Sequence, residues 1–302
     1  MVEKILIITG ATATGKTAFA IECAKLLNGE IISCDSMQIY RNLDIGTAKP
    51  TLAEQQSVPH YLINVVDANK EFSVQQFVNL AQEKITDIIS RGKLPIIVGG
   101  TGLYIRALIY PYSFCSSQKN EQVRENLNDI LDKKGATYLY SMLKEVDNDS
   151  AMKIHPNDTK KVMRALEIFE TTGVPKSKQN VGEDSPRYDY EMIALTMPRE
   201  ILYERINNRV DLMFEMGLEN EISTLLKAGK VSRNSQSMSA IGYKEFFDYF
   251  DKKITLDEVK QLIKQHSRNY AKRQETFIRG FKDAHWFDDK SKALEYIKEK
   301  FT

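Results

Sequence analysis

The sequence predicts an α/β protein, a parallel sheet core interrupted by a mostly helical insertion. A continuous apolar, largely β-branched run at residues 5–8 is followed by further short, mostly apolar strand candidates at 31–34, 95–98 and 192–195. Runs without polar alternation are the pattern of strands covered on both faces. Among these strands, residues 16–27 and 73–91 carry apolar side chains at helical spacing, and strands alternating with helices imply right-handed crossovers in one parallel sheet. From about residue 119 to 172 the pattern is helical throughout, with no strand candidate.

Each element has its punctuation. The first helix stops at Asn28-Gly29, a pair suited to the left-handed end of a helix. Ser73 stands where an N-cap is needed for the next amphipathic helix. The third strand is closed by Gly99-Gly100-Thr101-Gly102. After Pro111 the character changes, and Thr171-Thr172-Gly173-Val174-Pro175 ends the helical stretch before a polar run to Arg187. Residues 1–112 and 188–302 are therefore read as the core with its C-terminal helices, and 113–187 as a helical insertion. Beyond Pro198 come further helices, a short strand at 285–287 and a terminal helix.

Bulk composition excludes several classes. Of 302 residues, 42% are hydrophobic and 27% charged, with a formal net charge of +1, so a basic surface would have to be local. No stretch approaches the ~18 apolar residues of a membrane span, and the apolar run at the N-terminus is too short for a signal sequence. Cys23, Cys34 and Cys115 form no C-x-x-C pair, which fits reduced thiols in a cytoplasmic protein. His60, His155, His266 and His285 lack metal-ligand spacing.

Gly10-Ala11-Thr12-Ala13-Thr14-Gly15-Lys16-Thr17 matches G-x-x-x-x-G-K-[ST]. Placed between a buried strand and a helix, it predicts a P-loop NTPase-like core whose successive amides cradle an anion, aided by the helix N-terminus. Lys16 supplies charge to phosphate oxygens, and the Thr17 hydroxyl suits Mg²⁺. The third strand ends in glycines rather than in the magnesium-holding aspartate of an NTPase, which weakens the reading as a phosphate-transferring kinase. The second strand feeds Asp35-Ser36-Met37-Gln38-Ile39-Tyr40. At a strand's carboxyl end Asp35 is placed beside the P-loop, either as a general base or as a turn aspartate. The amides of residues 99–102 and the Thr101 hydroxyl offer a second anion-binding turn.

Together these motifs resemble the tRNA dimethylallyltransferase (isopentenyltransferase) family. The resemblance rests on the P-loop, Asp35-Ser36-x-Gln38-x-Tyr40, Gly46-Thr47-Ala48-Lys49-Pro50, Pro59-His60 and Val98 to Tyr104. It continues through Arg164-Ala165-Leu166-Glu167, Ala240-Ile241-Gly242-Tyr243-Lys244-Glu245 and Tyr270-Ala271-Lys272-Arg273-Gln274, so it runs from about residue 4 to 287. It implies transfer of a dimethylallyl group from dimethylallyl diphosphate to the exocyclic amine of the adenine 3′-adjacent to the anticodon. Gly10, Thr12, Ala13, Thr14, Gly15, Lys16 and Thr17 would hold the diphosphate, with Mg²⁺ on Thr17. Asp35 would take the amine proton, Thr101 would lie near the reacting centre, and Arg209 would stabilise the leaving pyrophosphate, with Arg205 on the same helical face. The tRNA anticodon stem-loop would meet Asp35, Ser36, Met37, Gln38, Thr101, Arg124, Lys160, Lys161, Arg164, Gly242, Tyr243, Lys272, Arg273, Gln274 and Arg279. The protein would act as a monomer.

The local charges agree with that implication. Lys264, Arg268, Lys272, Arg273, Arg279 and Lys282 face one acid, Glu275, with Tyr270, Phe277 and Phe281 interleaved. Such a mixture suits salt-sensitive backbone binding with stacking, although a solvated amphipathic helix looks alike. Ser239, Phe277 and Tyr61 depart from the family's Gln, Trp and His, which bears on RNA contacts and not on the reaction. A relative acting on free adenine nucleotides and a non-catalytic RNA-binding module are the remaining alternatives.

Overall fold

The computed structural model describes residues 4–111, 120–178 and 185–301. Cys115 and the start of the insertion near residue 119 lie outside the described residues. The strands are β1 (Lys4–Gly10), β2 (Gly29–Ser33), β3 (His60–Tyr61), β4 (Leu94–Val98), β5 (Asp189–Leu195) and β6 (Ala284–Phe287). The helices are α1 (Lys16–Leu26), α2 (Leu52–Gln55), α3 (Val74–Ser90), α4 (Gly102–Ile109), α5 (Glu121–Val146), α6 (Asn148–Lys153) and α7 (Thr159–Thr172). They continue as α8 (Arg199–Glu215), α9 (Leu218–Lys227), α10 (Phe246–Phe250), α11 (Leu256–Ile278) and α12 (Lys290–Phe301).

The six strands pair in parallel in the order β3-β2-β4-β1-β5-β6. Alternation along β1 divides its side chains between two cores. Leu6 and Ile8 join Phe19, Ala20 and Ala24 of α1 and Ala293 and Ile297 of α12. The other face is covered by α3 and α11, with α4 packed against both. Ser73 caps α3 in a capping box, its hydroxyl accepting from Gln76 N, as its place in the sequence predicts. The edge strand β3 escapes sequence reading because two half-exposed polar or aromatic residues carry no apolar run. Cys23 and Cys34 are free and buried.

The chain divides into two compact units, residues 1–109 with 187–302, and residues 110–186. The boundary has a physical reason within the first unit: Arg187 N donates to Ile109 O at 2.8 Å, and its guanidinium to Ala107 O at 2.9 Å. In the second unit α5, α6 and α7 pack around Leu127, Leu139, Leu143, Val162 and Leu166, and α5 breaks at Gly135 (φ 80°, ψ 171°). Among the described residues, no helix is long and apolar enough to cross a membrane.

Candidate active site

Because β2, β4 and β1 are neighbours, the loops leaving their carboxyl ends converge, the position at which parallel sheets bind ligands. Gly10 turns out of β1 at φ 144°, where a Cβ would lie 2.4 Å from Leu195 O, so the loop can begin only with glycine. Thr14 Oγ1 donates to Ala11 O at 2.8 Å and closes the turn. Ala11 and Ala13 rest on Leu202 and Ile206 of α8 and Ala271 of α11, which brings those helices' polar residues to the loop.

Two cations follow from that packing. Lys16 Nζ donates to Ala11 O at 2.7 Å, and Arg209 Nη1 donates to Thr12 Oγ1 at 3.0 Å. Burial, and after it the Arg209 charge, pushes the Lys16 ammonium down to about 7, against an opposing pull from Asp35. Burial likewise lowers Arg209, with Asp35 opposing. Two crowded cations resting on neutral oxygens are a site in want of an anion. Arg205, one turn earlier, is exposed and does not line the cleft. Among the described residues no three His, Cys, Asp or Glu side chains form a metal cage. Thr17 lines the cleft beside Lys16. One hydroxyl with ligand phosphates and water suits Mg²⁺, which rarely occupies all-protein cages.

Asp35 is a turn aspartate through one of its oxygens and leaves the other over. Its Oδ1 accepts from Met37 N at 2.9 Å and Gln38 N at 3.3 Å, an Asx turn. Its Oδ2 has no hydrogen-bond partner among the described residues. Thr101 Oγ1 accepts from Ser36 N at 3.2 Å, which ties the glycine turn to this loop. The cleft has two lobes. One of about 530 Å³ is floored by the P-loop. The other, about 330 Å³, is lined by Ser36, Met37, residues 239–242, Lys244, Ser267 and Arg273. Asp35, Thr12, Arg209 and Tyr270 border both.

The residues assigned to RNA are placed unequally. Ser36, Met37, Gly242 and Arg273 line the second lobe. Gln274 is instead buried: Oε1 accepts from Thr12 N at 2.8 Å and Nε2 donates to Gly100 O at 3.0 Å. Its amide locks the two glycine loops together. Tyr243 is 0% exposed with its hydroxyl on Glu221, so its ring cannot stack on a base. Phe281 is also buried, whereas Phe277 is 37% exposed. Part of the basic stretch is already paired: Lys264 with Asp211 and Arg268 with Asn207, both at 2.7–2.8 Å. Lys272 lies over the Tyr203 ring and Arg279 over Trp286.

In the insertion, the buried Glu167 carboxylate takes Arg124 at 2.8 Å and Arg164 at 2.7 Å, and Lys161 pairs with Asp158. Lys160 is exposed. Sequence reading missed Lys176, whose ammonium is pushed down by burial and then by Arg164 and Lys161. Its place in a polar stretch gave no signal. Lys244, quoted within a motif but given no role, and Ser267, which no spacing marks, also line the second lobe.

The fold is an α/β core whose G-x-x-x-x-G-K-T loop floors a cleft, with a carboxylate set where its two lobes meet. Residues 38–281 match the IPP transferase family. A tRNA dimethylallyltransferase of Bacillus cytotoxicus is 48% identical over 299 residues, spanning 98% of this chain and 94% of the relative. The tRNA isopentenylpyrophosphate transferase of Bacillus halodurans superposes with a TM-score of 0.73 at 44% identity, covering 99% of this chain and 95% of that one. A eukaryotic dimethylallyltransferase acting on tRNA gives 0.78 at 32% identity, covering 94% and 73%. This chain belongs to the IPP transferase family.

Proposed function

We propose that this protein transfers the dimethylallyl group of dimethylallyl diphosphate to the exocyclic amine of the adenine 3′-adjacent to the tRNA anticodon. The observation that carries the reading is the unpartnered Oδ2 of Asp35 where the two lobes meet. One lobe takes the diphosphate on the P-loop amides, Lys16 and Arg209. The other takes the adenine, which must leave the stack of the loop to enter.

In the reaction the amine nitrogen forms a bond to the allylic carbon as the carbon–oxygen bond to diphosphate breaks. The electron pair departs with the diphosphate, and Asp35 removes the amine proton. Lys16 and Arg209 lie where the leaving charge develops, so they act more strongly on the transition state than on the bound donor. Mg²⁺ on Thr17 and the diphosphate would neutralise part of that charge. Thr101, through Ser36 N, holds the Asp35 loop against the glycine turn. Arg273 in the second lobe, with Lys272 and Arg279 on and beyond α11, provides phosphate contacts, as do Arg124, Lys160, Lys161 and Arg164 in the insertion. Both lobes are built from one chain, so a monomer is sufficient, and tRNA as substrate suits a cytoplasmic protein.

Purified protein, Mg²⁺, dimethylallyl diphosphate and unmodified tRNA, followed by nucleoside mass analysis, test the proposal. A dimethylallyl mass gain on one adenosine of the tRNA is expected. Gain on free AMP, or ATP hydrolysis without any gain, would overturn it.

A further inference from the structure

We propose that Glu221, a residue outside every motif above, is the positioning residue of the Asp35 loop; the inference rests on the reaction just proposed. Glu221 projects from α9, whose Leu218, Ile222 and Leu225 are buried. Its carboxylate gathers four donors from distant parts of the chain. Oε2 accepts from Asp44 N at 2.9 Å and Ile45 N at 2.8 Å, and Oε1 from Gly46 N at 3.3 Å and Tyr243 Oη at 2.7 Å. Three successive amides converging on one oxyanion form a nest. Gly46 lies under the Tyr243 ring so closely that a Cβ would stand 2.4 Å from Cε2.

The clamped segment forms walls of both lobes: Asp44 and Ile45 face the diphosphate lobe, Gly46 the second, and Thr47 and Ala48 both. Gln38 carries the constraint onward. Its Nε2 donates to Thr47 O at 3.2 Å and Ala48 O at 3.3 Å, and its Oε1 accepts from Ser33 Oγ at 3.1 Å. Its backbone N–H then donates to Asp35 Oδ1. Hydrogen bonds joined by short stretches of backbone therefore run from Glu221 through residues 44–48 and Gln38 to the carboxylate that receives the amine proton. The segment has an independent anchor, because Lys49 Nζ donates to Tyr40 O, to Asp44 Oδ1 and to Asn64 Oδ1. Loss of Glu221 thus loosens the loop without unfolding it.

Glu221→Gln replaces one acceptor oxygen by an NH₂ group facing donors, so at least one amide or the Tyr243 hydroxyl loses its partner. The single-turnover rate at saturating dimethylallyl diphosphate and tRNA should fall by about tenfold or more, as displacements near an ångström do. Pyrophosphate affinity, set by the P-loop, should stay within about threefold, and Tyr243→Phe, which removes one bond of four, should cost about threefold or less. In an Asp35→Asn background Glu221→Gln should change the residual rate by no more than about threefold, because the carboxylate it positions is gone. An unchanged rate for Glu221→Gln in the wild-type background, or an equal loss in both backgrounds, overturns the proposal. Hydrogen exchange separates this failure from failure of the proposed reaction. Faster exchange at the amides of Asp44, Ile45, Gly46, Met37 and Gln38 in Glu221→Gln is expected whatever the enzyme transfers. Unchanged protection there refutes the clamp even if the wild type makes product.

Discussion

Asp35→Asn isolates proton removal from loop geometry. Asparagine keeps Oδ1, so the bonds from Met37 N and Gln38 N at 2.9 and 3.3 Å persist and the Asx turn stands. What changes is Oδ2, which becomes an NH₂ group unable to accept a proton. A positioned general base contributes about 10²–10⁴ in rate, and that is the expected fall in single-turnover rate. Diphosphate affinity should change little, since loss of the Asp35 charge lessens repulsion of the ligand but also lets the Lys16 ammonium, which Asp35 helps hold up, fall further. Asp35→Ala differs, because it strips both turn bonds at a net cost of about 1 kcal/mol each; it should lower the melting temperature and raise KM as well. The assay follows labelled diphosphate release in rapid-quench experiments, with melting curves on each variant. A rate for Asp35→Asn within about tenfold of wild type, or equal thermal damage by Asn and Ala, would refute the reasoning.

Other predictions concern the rest of the molecule. Arg209→Ala should reduce kcat by about 10²–10³, the cost of removing one preorganised donor from a developing charge, with partial recovery in Arg209→Lys; steady-state kinetics read both. Combined Lys272→Ala and Arg273→Ala should raise KM for tRNA and flatten its dependence on salt, checked by titration between low and physiological ionic strength. At the opposite end of the sheet, Glu30 accepts both Arg91 nitrogens at 2.7 Å, Lys93 at 2.6 Å and Tyr61 at 2.8 Å. The Arg91 bonds above all hold its carboxyl down to about 2, from an ordinary 4.5. A lowered folded value stabilises the fold above the ordinary value and loses that stability as pH falls toward the lowered one. Glu30→Gln should therefore destabilise by up to about 3 kcal/mol at neutral pH. In urea titrations the gap should close between about pH 4.5 and 2.

Much of the fold was legible because a parallel sheet writes itself into sequence. The middle of β1, β2 and β4 and the second half of β5 are buried and so read as short apolar runs, and the P-loop announces its own backbone. The candidate site was legible where chain order brings proposed residues to one cleft, at Lys16, Thr17 and Asp35. It was not legible where a side chain's partner comes from a distant element. Gln274 and Tyr243 sit in recognisable motifs, but only tertiary packing shows that their polar atoms are taken up by Thr12, Gly100 and Glu221. The basic face of α11 was countable in sequence, whereas its pairing with Asp211 and Asn207 depends on how α8 crosses it. Glu221 had no local signal, since an acid on a surface helix looks like any other until the 44–46 amides close on it.

The most direct test of a carboxylate set between a diphosphate lobe and an adenine lobe is the stoichiometry of diphosphate release. Dimethylallyl diphosphate and Mg²⁺ would be mixed with the enzyme and either an unmodified tRNA or the same tRNA with guanine in place of the adenine 3′ of the anticodon. The account predicts one diphosphate per adenine-bearing tRNA and none with the guanine variant. Equal release from both, or release without tRNA, would contradict it.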